Sequence, residues 1–263
     1  MKEKILDLVR ISTYYPRKIL DILLYKLYLE RRNNWNILDP YFKKPVLIVG
    51  NGPSLNKTPL DKVDESIVSI GMNKINLIYS TSKWRPDILV CVNGLVLGQN
   101  KDYFNKTEIP LILPVKAYYL GVKPRKNILF VNLKDEERIH TNIKKSVSTG
   151  CTVTFTALQI AAYLNPKSVH IVGVDHSFVV EKGKEYDIKK YEGDDVNHFS
   201  KDYFKDSFWG LPDLDGSERL YALSNDYFLS KKIPISDCTI GGKLEIFRKG
   251  DISEITKGAV NSH

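Results

Sequence analysis

The run Pro45-Val46-Leu47-Ile48-Val49 leads straight into Gly50-Asn51-Gly52-Pro53-Ser54-Leu55, and this junction constrains the chain more than any other stretch. A short apolar run rich in β-branched residues that stops at glycines reads as a buried parallel strand delivering its backbone to a nucleotide phosphate. Glycine adopts positive φ without strain and lets the main chain come close to a ligand. Asn51 and Ser54 add hydrogen-bonding side chains at the same turn. The spacing is neither the G-x-G-x-x-G dinucleotide fingerprint nor the G-x-x-x-x-G-K-[ST] P-loop, so a less common nucleotide site is expected. A structural strand-to-helix turn would use similar residues.

Further short apolar runs follow at Ser66–Gly71, Asp87–Val92, Pro110–Val115, Ile128–Val131 and Ser168–Val174. They alternate with helix-like stretches, of which Thr152–Leu164 carries Val153, Ala157, Ile160, Ala161 and Leu164 at helical spacing. This alternation predicts an α/β fold: a single Rossmann-like domain with a mainly parallel sheet flanked by helices. The 263 residues suffice for one such domain with a buried core. We place a basic amphipathic helical segment at 1–40, the domain at 41–250 and a tail at 251–263. Residues 180–214 are polar, aromatic and irregular, as in a long loop or lid.

Half of the net charge of +8 sits in residues 1–34, where eight Lys/Arg face four acids. After Pro16, the residues Ile19, Leu20, Leu23, Leu24 and Leu27 recur at helical spacing, and Tyr14, Tyr15, Tyr25 and Tyr28 interleave with the basic residues. Such a helix can lie on an anionic membrane. It can equally pack its leucines on the main domain or on another subunit, and periodicity does not choose. Elsewhere the charges are mixed, which argues against nucleic acid as a partner. The N-terminus lacks a signal-peptide apolar region, and no apolar run reaches the ~18 residues that span a bilayer. The expected location is the cytoplasm, peripheral on the inner face of the plasma membrane. Cys91, Cys151 and Cys238 are isolated and odd in number, which suits reduced core residues.

Asn51, Asn73, Asn93 and Asp175 fall at the carboxyl ends of four predicted strands, the edge where open α/β sheets bind ligands. Asparagine also tolerates the left-handed region and ends strands for purely structural reasons. Three of them in register with the glycine turn favour a site. Ser148-Thr149-Gly150 precedes the helix at Thr152 and offers backbone N–H groups and a helix dipole to an anion, or ordinary capping.

Taken in order, these motifs resemble those of the bacterial sialyltransferases with a GT-A-like single Rossmann domain. Also in that order are Val-Gly-Val-Asp at 172–175, Asn197-His198-Phe199 and the Ser236–Gly242 segment. They resemble, too, the related domain of motility-associated factor proteins. The pterin pyrophosphokinase-like (MptE-like) proteins share this domain. The resemblance spans roughly residues 45–247. It implies a metal-independent transfer of an acidic sugar, a nonulosonic acid or Kdo, from a CMP-activated donor. The acceptor would be a bacterial surface glycan, free or lipid-linked. It implies no cofactor, and a homo-oligomer. An ATP-dependent pterin pyrophosphokinase is the alternative.

Carried over residue by residue, the resemblance places Gly50, Asn51, Gly52 and Ser54 near the phosphate and ribose, with Asn73, Asn93 and Asp175 also on the donor. Ser148, Thr149 and Gly150 would hold the sugar carboxylate or phosphate, and Thr239, Gly241 and Gly242 would close around the cytosine. His198 would be the general base, since an imidazole with a pKa near 6.5 removes a proton at neutral pH. His176 is its rival. His140 and His170 are weaker, the latter lying mid-strand. Tyr186 and Tyr191 would offset charge on the leaving phosphate, and Tyr203 lies further on. Here the chain departs from the family. Ser177 stands where the first tyrosine is expected and Ser146 where an arginine is, while Lys182, Lys184, Lys189 and Lys190 are nearby alternatives. Asp213-Leu214-Asp215 reads as a loop coincidence, with no metal implied.

Overall fold

The computed structural model describes residues 14–177, 188–190, 193–210 and 212–257. In chain order the elements begin with α1 (14–24), β1 (Val46–Val49), β2 (Val68–Met72), β3 (Ile88–Val90), α2 (Gly94–Gln99) and α3 (Lys101–Phe104). Next come β4 (Leu111–Pro114), α4 (Lys116–Tyr119), β5 (Ile128–Val131), β6 (Leu133–Lys134), β7 (Val147–Ser148) and α5 (Val153–Leu164). The last are β8 (Val169–Val172), β9 (Ile188–Lys190), β10 (Phe208–Gly210), α6 (Leu214–Ser230), β11 (Ile235–Asp237) and β12 (Arg248–Lys249). Eight strands form one parallel sheet in the order β12-β11-β8-β1-β2-β3-β4-β5. The α/β, Rossmann-like expectation is met. Within the stretch read as a lid, β9 and β10 pair antiparallel.

Both faces of the sheet are covered, which is why its strands are continuous apolar runs rather than alternating ones. Val46 and Ile48 join the core beneath α5 and α6. Leu47 and Val49 point to the opposite core, with Val96, Phe104 and Ala117 from α2, α3 and α4. The α5 helix packs on β1, β2, β3 and α6 and is buried nearly all round, Gln159 included. Its N-cap is Thr152, whose side chain accepts from Thr154 N.

Residues 14–32 cover the exposed edge of β5. The α1 helix continues as a π-helical turn, Tyr25–Leu29, in which Tyr25 and Leu29 are fully buried. The Asn33 side chain pairs with both main-chain groups of Phe130 at 2.8 Å, closing hydrogen bonds an edge strand would leave open. The leucine repeat, however, faces away. Ile19, Leu20, Leu23 and Leu27 are 58%, 64%, 47% and 68% exposed, and of the five repeat positions only Leu24 packs on the domain. Of the expected leucine face, then, only Leu24 packs on this chain's own domain, and Tyr25, Tyr28 and Leu29 supply the rest of that contact. At the other end, Asp251 and Glu254 form a capping box and Ile255 is buried.

The chain leaves β1 toward β2 on one side, and leaves β8 toward β11 on the other. The topological switch point, where such sheets open a crevice, therefore lies between the carboxyl ends of β1 and β8.

Candidate functional site

At that switch point the two strand ends come together backbone to backbone. Gly50 N donates to Val172 O and Gly52 N to Gly173 O, both at 2.8 Å. A Cβ on Gly50 would lie 2.2 Å from Gly173 O, and one on Gly52 would lie 1.9 Å from Asp175 Oδ2. The glycines are thus required by the meeting of β1 and β8, rather than only by a ligand. Asp175 fixes the turn: its carboxylate accepts from Ser54 N at 3.0 Å and from Ser54 Oγ at 2.7 Å.

A cavity of about 280 Å³ opens above this junction, and Gly50, Asn51, Gly52, Asn73, Asn93 and Asp175 all line it. Asn51 is buried; its Nδ2 donates to Met72 O at 3.2 Å, and its Oδ1 is buried without a partner. Asn73 sits in the left-handed region at φ 53°, and its Oδ1 is likewise buried and unpartnered. Two stranded acceptors in one wall are expensive unless a ligand donor meets them. Asn93 has a structural duty as well, accepting from Leu95 N and Val96 N as the N-cap of α2. The first turn of α5 reaches the same cavity through Thr152, Val153 and Thr154, bringing the positive end of a twelve-residue helix to it.

Two histidines line the same cavity. His198 Nδ1 lies 2.9 Å from Oδ2 of the fully buried Asp195 carboxylate, and the ring stacks on Tyr203 at 4.0 Å with a 5° interplanar angle. The other Asp195 oxygen accepts from Asn197 N at 2.9 Å. A carboxylate on Nδ1 fixes the tautomer with Nε2 unprotonated, as a general base requires. The rival, His176, also lines the cavity, at φ 52°, with Nε2 2.7 Å from Glu218 Oε1. Beside Tyr203 and Phe204, Lys74 is buried: its Nζ donates to Tyr203 O at 2.6 Å, and desolvation lowers its pKa against the pull of Asp195.

Other expected residues are not gathered here. Ser148 is fully buried in β7, its N–H bonded to Gln159 Oε1 at 3.0 Å and its Oγ donating to Arg138 O at 2.6 Å. Thr149 is turned to Asp135, at 2.8 Å. Gly150 sits at φ 57°, where glycine is favoured, and a Cβ there would lie 2.6 Å from Leu220 Cδ1 and 2.7 Å from Phe155 Cδ1. The residues at this helix start that line the cavity are instead those of the next turn, Thr152 to Thr154. Thr239 supports the end of β8 by accepting from Val174 N at 3.3 Å, and neither it, Gly241 nor Gly242 lines the cavity. Tyr186 and Tyr191 lie outside the described residues. Tyr203 lines the cavity but is fully buried, its hydroxyl pKa pushed far up by desolvation. His140 is held by Glu136 and Ser146 away from the cavity, and His170 by Ser168 and Ser236. Asp213 is the N-cap of α6, accepting from Gly216 N at 2.7 Å. Among the described residues, the group suited to a metal ion is His170, Cys238 and Glu254, outside the cavity, with Glu254 already bound to Arg248. Asp195 and Lys74 were not singled out from sequence, although Asp195 precedes His198 by three residues, within reach on a tight turn.

The model of the 6-hydroxymethylpterin diphosphokinase MptE-like family matches residues 24–181, which hold β1 through β8 and the larger part of the cavity wall. The chain belongs to this family. Among solved structures it is similar to the sialyltransferase CstII from Campylobacter jejuni in complex with cytidine-5'-monophosphate. The identity is 15%, the coverage 79% of this chain and 85% of that chain, and the TM-score 0.44. The complex of the same enzyme with CMP-3FNeuAc gives 15% identity over 78% and 85%, with a TM-score of 0.43. No curated protein sequence matches the chain. No helix among the described residues of this MptE-like protein is long and apolar enough to cross a membrane.

Proposed function

We propose that this MptE-like protein is a glycosyltransferase that moves an acidic sugar from a CMP-activated donor to a hydroxyl of a bacterial surface glycan. The observation that carries the reading is the His198–Asp195 pair on the wall of a cavity with two unpartnered buried acceptors, Asn51 Oδ1 and Asn73 Oδ1. The order of its sequence motifs, which resembles that of the sialyltransferases, supports the donor class. The stranded acceptors suit ribose hydroxyls and the exocyclic amine of cytosine. His198 Nε2 takes the proton of the acceptor hydroxyl as its oxygen bonds to the anomeric carbon. The bond from that carbon to the donor phosphate breaks, and CMP departs with the electron pair. The positive end of α5 offsets its charge. The MptE-like membership favours a second reading, transfer of diphosphate from ATP to a pterin. Against it, the one carboxylate among the described lining residues, Asp175, is already engaged by Ser54 and is poorly placed to hold Mg²⁺.

Calorimetry with CMP, UMP, GDP and ATP, each with and without Mg²⁺, separates the two. Metal-independent preference for CMP is expected. Selective ATP binding that requires Mg²⁺ would overturn the transferase reading.

A further inference from the structure

A second cavity, of about 180 Å³, lies on the same carboxyl edge of the sheet, past the ends of β4 and β5. Its walls include Arg17, Lys18 and Asp21 from α1, with Lys116, Tyr119 and Asn132 from the domain. Lys116 stands between the two cavities: a Cβ on Gly94 would lie 2.3 Å from its Nζ, and Gly94 directly follows Asn93 of the larger cavity. Lys18 is paired with Asp135 at 3.0 Å. Arg17 and Lys116 have no hydrogen-bond or salt-bridge partner among the described residues, and the acid facing them is the half-buried Asp21, whose carboxyl burial pushes toward the neutral form. Among the described residues the cavity therefore sets two cations, Arg17 and Lys116, against the one remaining acid, Asp21.

The helix that builds this cavity turns an apolar surface outward. At about 100° per residue, Tyr14, Arg17, Lys18 and Asp21 share the inner face of α1, and Tyr15, Ile19 and Leu23 lie on the opposite one, with exposed Leu27 following in the π-helical turn. The latter four are 68%, 58%, 47% and 68% exposed. Lys26, Arg31 and Arg32 follow at the C-terminal end of this stripe, whereas Arg17 and Lys18 belong to the cavity face. The acids of residues 14–32 are Asp21, which faces inward, and Glu30, which is paired with Lys26 at 3.0 Å. A second copy packed face to face would bring two positive rims together, because a twofold contact pairs each patch with itself. An anionic bilayer meets both features at once, apolar stripe and basic rim.

We propose that α1 docks the protein on an anionic phospholipid surface, with its outer face at the headgroup–acyl boundary and one lipid phosphate drawn into the cavity lined by Arg17 and Lys116. Docked so, the carboxyl edge holding the larger cavity lies close to the bilayer. On the transferase reading, the acceptor is then one carried on a lipid. The docking itself is measured without turnover, so its failure leaves the nucleotide assay to be judged separately.

The test is co-flotation of the full chain with vesicles of phosphatidylcholine containing one third phosphatidylglycerol, against vesicles of phosphatidylcholine alone. Binding is expected on the anionic vesicles and is expected to fall at high salt. Leu23→Asp should abolish it. Arg17→Ala with Lys116→Ala should weaken it about tenfold or more, at roughly fivefold per cation. Leu229→Asp, a change at a still more exposed leucine on α6, should leave it intact. Thermal melts of each variant establish that the fold is retained. Equal binding to both vesicle types, retention by Leu23→Asp, or no effect of the double cation variant would overturn the proposal. So would a solution dimer that Leu23→Asp dissociates in a protein that does not float.

Discussion

Replacing Gly50 with alanine tests the claim that these glycines exist for the junction of β1 and β8. The added Cβ would lie 2.2 Å from Gly173 O, 2.6 Å from Gly173 C and 3.0 Å from Val174 Cγ2, well inside the 3.4–4 Å of ordinary contact. No flexible side-chain end can move away, because the closest atoms are backbone. That backbone is held by the 2.8 Å bonds from Gly50 N to Val172 O and from Gly52 N to Gly173 O, which must lengthen for the strands to part. Overpacking of this kind costs about 1–3 kcal/mol and each strained hydrogen bond about 1 kcal/mol more, for a loss of about 3–5 kcal/mol. The reduced freedom of alanine in the unfolded chain returns only about 0.4–1 kcal/mol. For a domain of this size, the melting temperature should fall by about 10 °C in calorimetry or circular dichroism. Gly98→Ala is the control, since nothing lies within 4 Å of its would-be Cβ inside α2, and it should stabilise by about 0.5–1 kcal/mol. A Gly50→Ala protein melting within ~2 °C of wild type would refute the packing account.

His198→Asn should lower turnover by about 10²–10⁴-fold with nucleotide binding by calorimetry unchanged, whereas lost binding would place His198 on the donor instead. Asp195→Asn keeps the shape but removes the charge at His198 Nδ1, and should lower the rate by about 10²-fold or more; an unchanged rate would exclude the pair as the base. Native alkylation should modify Cys151, which lines the cavity, before Cys91 and Cys238, whose thiols burial pushes up, the latter to about 11; a bound nucleotide should protect Cys151, and mass mapping of the adducts reads both. Burial lowers the pKa of His170 below its ordinary 6.5, so the unfolded chain takes up a proton that the fold resists. Stability should therefore fall as pH drops through the folded-state pKa, and His170→Asn should flatten that slope in denaturant titrations below pH 6.5; an unaltered slope would sink this assignment.

The strands were legible because a parallel strand buried on both faces must be an uninterrupted apolar run, and Val46–Val49 and Val169–Val172 show it without help from their neighbours. Their carboxyl ends followed, and with them Asn51, Asn73, Asn93 and Asp175 on one edge. The partners of those residues were not legible. Ser148 precedes a helix in sequence as an anion ligand would, yet Gln159, on the helix that follows, pulls it into the core through main-chain bonds. The capping box of Asp251 and Glu254 was readable as a local pattern and passed over in a segment that carried no other signal.

Local patterns of this kind need no knowledge of distant chain: strand, turn and helix are set by residues a few positions apart. The tertiary fold alone decided that Gly50 meets Gly173, that the carboxylate serving Ser54 comes from Asp175, and that Lys116 stands beside Gly94. It also decided which side of α1 is apolar to the outside. Leu23 and Leu24 are adjacent and alike in sequence, but Tyr25 and Leu29 anchor the helix against β5, and that rotation leaves Leu23 exposed and Leu24 packed. Apolar spacing fixes that a helix has a greasy face; the partner of that face is fixed by what the rest of the chain has already covered.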